Sequence, residues 1–329
     1  MTKRIGSILV IISILLLWST ANGQEVLTPA SAQQVLEARN SSANMAYPVK
    51  SDAILTQYYR ILSWISKNTR LNPAEWTTDG DVVMVSDCVQ TTSESCSMLY
   101  THDPRRLLTV FTQDIPDEIV GNPMPPNRLQ HYALQFFLTQ GFITLTQRDR
   151  ILASRTMRIA EKEEDSNTEE VLAQLVWIGR QFDGRCVFES GLFLGFRPDF
   201  EIPLSLRIMR WASLNESAPR DIVKKGTDKL LSEVQQRLQA LVIDQLSEVQ
   251  IHGAEPVWYQ TETELVPVVL VNGQISPGPG QESDSWSPEP FVELFAVESG
   301  AHLDTIIRNP ENPSSEPSTD PGGVDDPGE

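Results

Sequence analysis

Three cysteines, four histidines and a scatter of carboxylates are the groups from which chemistry would have to be built in this chain of 329 residues. Cys88 and Cys96 flank the polar stretch Thr91-Thr92-Ser93-Glu94-Ser95, with Val82-Val83-Met84-Val85 before it and Cys96 through Tyr100 closing it. That pattern predicts two strands around a tight connection. Cysteines facing one another across such a pair reach the short separation a disulfide requires, so the expected bridge is Cys88 to Cys96. The competing arrangement joins Cys186 to one of the two. If the hairpin bridge forms, Cys186 is the odd thiol, and the apolar neighbours Val187 and Phe188 give it a buried structural role. A reactive thiolate needs a nearby cation or helix N-terminus, and Arg185, adjacent on a strand, points to the opposite face.

His102, His131, His252 and His302 have no second histidine or cysteine at metal-ligand spacing, so no metal and no cofactor is expected. His102-Asp103-Pro104-Arg105-Arg106 is the densest polar cluster in the folded part. His102, Arg105 and Arg106 are candidates for holding a carboxylate or phosphate. The plainer reading is a turn bent by Asp103-Pro104 whose arginines pair with the chain's surplus acids. No G-x-S-x-G nucleophile elbow occurs, since Glu189-Ser190-Gly191 lacks the flanking glycine, and no glycine-rich phosphate loop follows a strand. Asp81, Asp87 and Glu189 are isolated carboxylates of the kind a hydrolase uses as acid and base, but sequence alone does not pair them. Two sequons, Asn40-Ser41-Ser42 and Asn215-Glu216-Ser217, matter only in a eukaryotic host.

The charge balance narrows the partners. Lys and Arg total 26 against 44 Asp and Glu, a net of −18, which argues against nucleic acid or an anionic membrane as the main partner. Lys3 and Arg4 precede a mostly apolar run from Ile5 to Trp18, and Ala21 and Gly23 occupy the small-residue positions of a cleavage site. This is the pattern of a secretory signal peptide over 1–23. Fourteen residues make about 21 Å of helix against roughly 30 Å of hydrocarbon, too short for a comfortable anchor. With no run of about twenty apolar residues, no integral membrane span is expected after cleavage. The expected destination is a periplasm or the cell exterior.

The elements that would position these groups follow from periodicity. Residues 24–50 are polar and read as a flexible lead-in with a short helix at most. From Asp52, Ile54, Leu55, Tyr58, Ile61, Leu62 and Ile65 recur at three and four, predicting an amphipathic helix. Another is expected over Leu129, Tyr132, Ala133, Phe136 and Phe137, closed by Gly141. A third is expected over Val171, Leu172, Leu175, Val176 and Ile178, stopping near Asp183-Gly184. The longest is expected over 219–251, with Leu230, Val234, Leu238, Leu241 and Val249 on one face. Strands are expected around 82–111, in a hairpin or meander over 142–160, and over Cys186–Leu194, Leu204–Trp211 and Val257–Val271. Residues 274–329 hold twelve acids, one base and nine prolines. They read as an acidic linker (274–308) with an apolar island near Phe291–Val297, then a disordered acidic tail (309–329).

Together these readings predict an α+β fold, an antiparallel sheet packed by three or four helices, forming one domain over 51–273. The function they favour is non-catalytic: an exported protein that binds other proteins or supports assembly of a surface or envelope structure. The long helix, through Leu231, Val234, Leu238 and Leu241, and the acidic tail are the candidate contacts. The alternative is an exported hydrolase using dispersed carboxylates.

Overall fold

The computed structural model describes residues 26–51, 53–68, 77–79, 82–84, 98–101, 108–111, 123–162, 169–196, 203, 205–241, 247–261, 263–277, 288–301 and 303. The chain divides into two compact units. One comprises Met1–Ser42, Lys224–Pro256 and Val269–Glu329, the other Ala43–Val223 and Val257–Val268.

The larger unit is built on strands: β1 (Met45–Pro48), β2 (Thr77–Asp79), β3 (Val82–Met84), β4 (Met98–Thr101), β5 (Leu108–Phe111), β6 (Asp149–Lys162), β7 (Glu169–Phe182), β8 (Arg185–Phe196), β9 (Ser205–Met209) and β10 (Arg220–Asp221). It also takes the last residues of β11 (Ser247–Gln260) and the first of β12 (Glu264–Pro277). The strand order is β10-β1-β12-β11-β8-β9-β5-β4-β3-β2, with β7 also on β8 and β6 on β7. The sheet is mixed, because β11 runs parallel to β8 with Trp258 beside Val187.

These facts overturn the expected antiparallel sheet packed by three or four helices. Strands dominate, and the described helices are four short segments: α1 (Pro29–Ser41), α2 (Ala53–Asn68), α3 (Pro126–Thr139) and α4 (Thr227–Gln239). The segment expected as a helix over Val171–Ile178 is strand β7. Gln174, Val176, Ile178, Arg180 and Phe182 are buried while Leu175, Trp177 and Gln181 are half-buried, the period of two that a strand produces. Asp183-Gly184, read as a helix stop, is the two-residue hairpin turn between β7 and β8. Both residues have positive φ, +49° and +79°, as a type I′ turn demands. The expected hairpin or meander within 142–160 is likewise replaced by the single strand β6, whose partner is β7.

Two helices sit where the apolar spacing placed them. Ile61 and Trp64 of α2 and Leu129, Ala133 and Phe137 of α3 join Val176, Ile178, Leu192, Leu194, Leu206 and Ile208 in one buried cluster. Pro126 opens α3 at a position whose missing N–H costs nothing, and Gly141 at φ +68° lets the Phe142 amide reach Phe137 O.

In the smaller unit, α1 lies within the expected lead-in. Thr28 caps it through an N–H from Ser31, and Lys224 Nζ donates to Arg39, Asn40 and Ser42 carbonyls at its C-terminal end. The helix expected over 219–251 is much shorter: α4 ends at Gln239, and Val249 belongs to strand β11. Leu230, Val234 and Leu238 have no exposed surface. Beneath α4, Lys225 Nζ lies 2.5 Å from Glu233. Arg237 pairs with the buried Glu293 of β13 (Glu289–Ala296), a strand formed by the apolar island. Burial pushes the Glu293 carboxyl above its ordinary value against the opposing pull of Arg237.

Candidate binding surface

The placement of one long strand begins with a buried ion pair. Asp149, the first residue of β6, receives Arg180 Nε at 2.7 Å, and both side chains are completely buried. The other carboxylate oxygen of Asp149 accepts Thr146 N at 2.9 Å and Thr146 Oγ1 at 2.8 Å, which closes the turn leading into the strand. Arg180 also donates to Gln260 Oε1 at 3.1 Å, and its guanidinium lies 5.4 Å from the Trp211 ring. A charge so deep is tolerable only with such partners.

A second arginine joins the same polar layer. Arg210 Nη2 is 3.3 Å from Glu189 Oε2, and Nη1 donates to Gln260 O at 2.9 Å. Its backbone carbonyl accepts Ser190 Oγ at 2.7 Å. Glu189 and Arg210 both hold positive φ, +52° and +43°. Such backbone costs on the order of 1–3 kcal/mol per residue and persists only where the surroundings over-determine it. Here they stand where β8 leaves its parallel neighbour near Val187 and takes up β9 from Gly191 onward, so Arg210 ties the fork together.

With its start pinned this way, β6 runs for fourteen residues along β7 and pairs with no other strand among the described residues. Register shifts between Ile151 and Ser154 and between Ile159 and Ala160 bound a regular ladder from Ser154 to Ile159, opposite Ile178 to Ala173. Leu152 and Met157 are 44% and 60% exposed, and Arg150, Arg155 and Arg158 are exposed with them. Arg150 donates to Gln147 O and Asp149 O, whereas Arg155 and Arg158 stand opposite Trp177 and Gln174. On the α3 side of β7, Gln174 exchanges two hydrogen bonds with the Met124 backbone. That fixes one end of a groove of about 640 Å3 along α3, lined by Met124, Asn127, Arg128, His131, Tyr132 and Gln135.

The candidate residues drawn from sequence fall elsewhere. Cys88, Cys96, His102, Arg105, Arg106, Asp81 and Asp87 lie outside the described residues, as do the signal segment and the acidic tail. Strands β3 and β4, on either side of the Cys88 to Cys96 connection, do pair antiparallel, with Met84 opposite Leu99. Cys186 is half-buried on β8 opposite Gln181. Leu231 is half-buried and Val234, Leu238 and Leu241 are buried, so this apolar face is already occupied by the chain's own side chains. Among the described residues, no three His, Cys, Asp or Glu side chains gather as metal ligands would, and no helix is long and apolar enough to cross a membrane. Glu189, the described member of the carboxylates considered for a hydrolase, is ion-paired with Arg210.

The sequence predicts strand structure over 142–160 without singling out β6 as a contact. The signal was present in Arg155-Thr156-Met157-Arg158, two arginines around a β-former and an apolar residue in a chain dominated by acids.

No family model and no curated protein matches the chain. Among solved structures it is similar to an uncharacterized protein from Eubacterium rectale ATCC 33656, at 10% identity over 80% of this chain and 85% of that one, with a TM-score of 0.41.

Proposed function

We propose that this is an exported, non-catalytic protein that binds another protein, in the setting of a surface or envelope assembly, and that β6 is its contact. Export is supported by Lys3 and Arg4 ahead of the apolar run Ile5–Trp18 and by the small residues Ala21 and Gly23. Binding is supported by one observation above the others: a fourteen-residue strand with one edge uncovered by any described strand, carrying exposed Leu152 and Met157. An uncovered edge offers a row of backbone donors and acceptors, and strand addition to such an edge is a recurring mode of protein recognition.

The test is site-specific cross-linking in the producing cell. A photo-reactive phenylalanine analogue replaces Met157 in one version and the exposed Gln33 of α1 in another. A discrete adduct with a second protein from position 157 and not from 33 is the expected result. Equal or absent adducts at both positions would refute β6 as the contact.

A further inference from the structure

We infer that the β6 edge takes up an extended acidic segment of another protein, with carboxylates three residues apart, as an added strand. The inference rests on reading β6 as a protein contact and adds the chemistry of what it accepts.

The regular part of the edge is short. Between the two register shifts it spans Ser154 to Ile159, six residues in ladder with β7 and so about 20 Å of strand. An incoming segment therefore engages about six residues before the bulges turn the edge away.

Within that stretch the charges are all of one sign. Arg155 and Arg158 are exposed, and their cross-strand neighbours Trp177 and Gln174 are neutral, so the ladder itself supplies no counter-charge. The two arginines are three residues apart on a strand and stand on opposite faces of the sheet. A partner strand satisfies both by placing one carboxylate on each face, which is what a Glu-x-x-Glu spacing does. Met157 between them gives apolar area to a residue between the two acids.

The same charges disfavour one symmetric register of the commonest occupant of an edge, a second copy of the chain. Two-fold antiparallel pairing centred between Thr156 and Met157 would set Arg155 of each copy against Arg158 of the other. Directly opposed like charges destabilise a strand pair. Charges farther off than the screening distance of about 8 Å count for little, so an acidic segment responds to the two arginines beside it and not to the net −18 of the chain. Arginines on this edge thus weigh against that register of self-pairing and favour an acidic partner strand.

The test uses the whole chain and two blocked octapeptides, Thr-Val-Glu-Thr-Val-Glu-Thr-Val and its counterpart with lysine in place of both glutamates. Binding is read by fluorescence anisotropy, and amide hydrogen exchange is followed across β6. The glutamate peptide is expected to bind, the lysine peptide on the order of tenfold or more weakly, with alternate amides between Ser154 and Ile159 gaining protection. The double variant R155E/R158E is expected to reverse the preference, binding the lysine peptide and losing the glutamate one. Protection of alternate amides between Ser154 and Ile159 must accompany the reversal, which an unfolded, more acidic chain attracting lysine by net charge does not give. Equal binding of both peptides, binding insensitive to the double variant, or protection confined to other segments would overturn the inference. If neither peptide binds while the cross-link from position 157 persists, the acidic-strand inference fails and β6 as a protein contact survives. Loss of both ends both.

Discussion

Replacing Arg180 with methionine removes one half of the buried pair that sets the start of β6 while keeping much of the side chain's apolar length. The Asp149 carboxylate then loses its 2.7 Å partner in a site with no exposed surface. Breaking a buried pair from one side costs about 3–5 kcal/mol because the remaining charge is uncompensated. Two donors from Thr146 stay on Asp149, and Gln260 Oε1 keeps the Ala212 amide at 3.1 Å. These place the expected loss near the lower end, about 3 kcal/mol. Asp149→Asn leaves the Arg180 cation with Gln260 and the Trp211 face, and a loss of about 2 kcal/mol is expected. The double variant buries no charge at this site, so its loss should fall short of the sum of the single losses by about 1–2 kcal/mol.

The measurement is urea unfolding followed by tryptophan fluorescence. Trp64, Trp177, Trp211 and Trp258, the described tryptophans, all belong to the larger unit, which holds the pair, and Trp286→Phe removes the tryptophan that falls within the smaller unit's 269–329. Strictly additive single losses, or an Arg180→Met variant within about 0.5 kcal/mol of the parent, would refute the claim that this pair holds the strand in place.

Three further outcomes are expected. A Cβ on Gly273 would stand 2.1 Å from Gln250 O and 2.7 Å from the Phe291 ring, so Gly273→Ala should destabilise the smaller unit by about 1–3 kcal/mol in thermal unfolding; an unchanged midpoint would contradict that close approach. Burial raises the Glu293 carboxyl, so its stabilising contribution is complete below the ordinary glutamate value and is lost as pH climbs through the raised one. The stability of the parent minus that of Glu293→Gln should therefore fall with rising pH, and a rise would show that Arg237 outweighs burial. Leu238 has no exposed surface, so Leu238→Asp should cost several kcal/mol and unfold or aggregate the isolated protein; normal folding with lost association alone would assign this face of α4 to an interface.

Legibility in the sequence followed the purity of the burial pattern. Helices α2 and α3 were readable because their inward positions are apolar, with Leu129, Ala133 and Phe137 at exact four-residue spacing and a proline and a glycine marking the ends of α3. Strand β7 was not, because its inward row contains Gln174 and Arg180 while its half-buried row contains Leu175 and Trp177. A buried arginine and glutamine break the alternation from one side and two apolar residues from the other. What remains imitates helical spacing over Val171–Ile178. The Asp183-Gly184 hairpin signal was the stronger clue, and periodicity overrode it. The long-helix expectation fails for a related reason, since Leu241 and then Val249 of strand β11 continue the spacing of α4 past its end at Gln239.

The residues that hid β7 from a sequence reading are also the ones that shape the edge proposed as the contact. Arg180 reaches across the ladder to Asp149 on the adjacent strand and so fixes where β6 begins, and Gln174 bonds the Met124 backbone and stands as a neutral group opposite Arg158. A sheet with a purely apolar inner row would have been easier to predict and would have lost this hold on its outermost described strand. An edge strand held only by its ladder to one neighbour can fray or slip in register. Anchored at Asp149, β6 holds Arg155 and Arg158 at a fixed distance from a buried point. On the proposed reading, that fixed placement lets two arginines select a particular spacing of carboxylates and not merely a negative charge. Weakening the anchor should therefore blur the preference before abolishing it: in Arg180→Met, the octapeptide with glutamates three residues apart should lose its advantage over an isomer with the two glutamates adjacent. An undiminished advantage would show that the spacing is read by something other than the anchored strand.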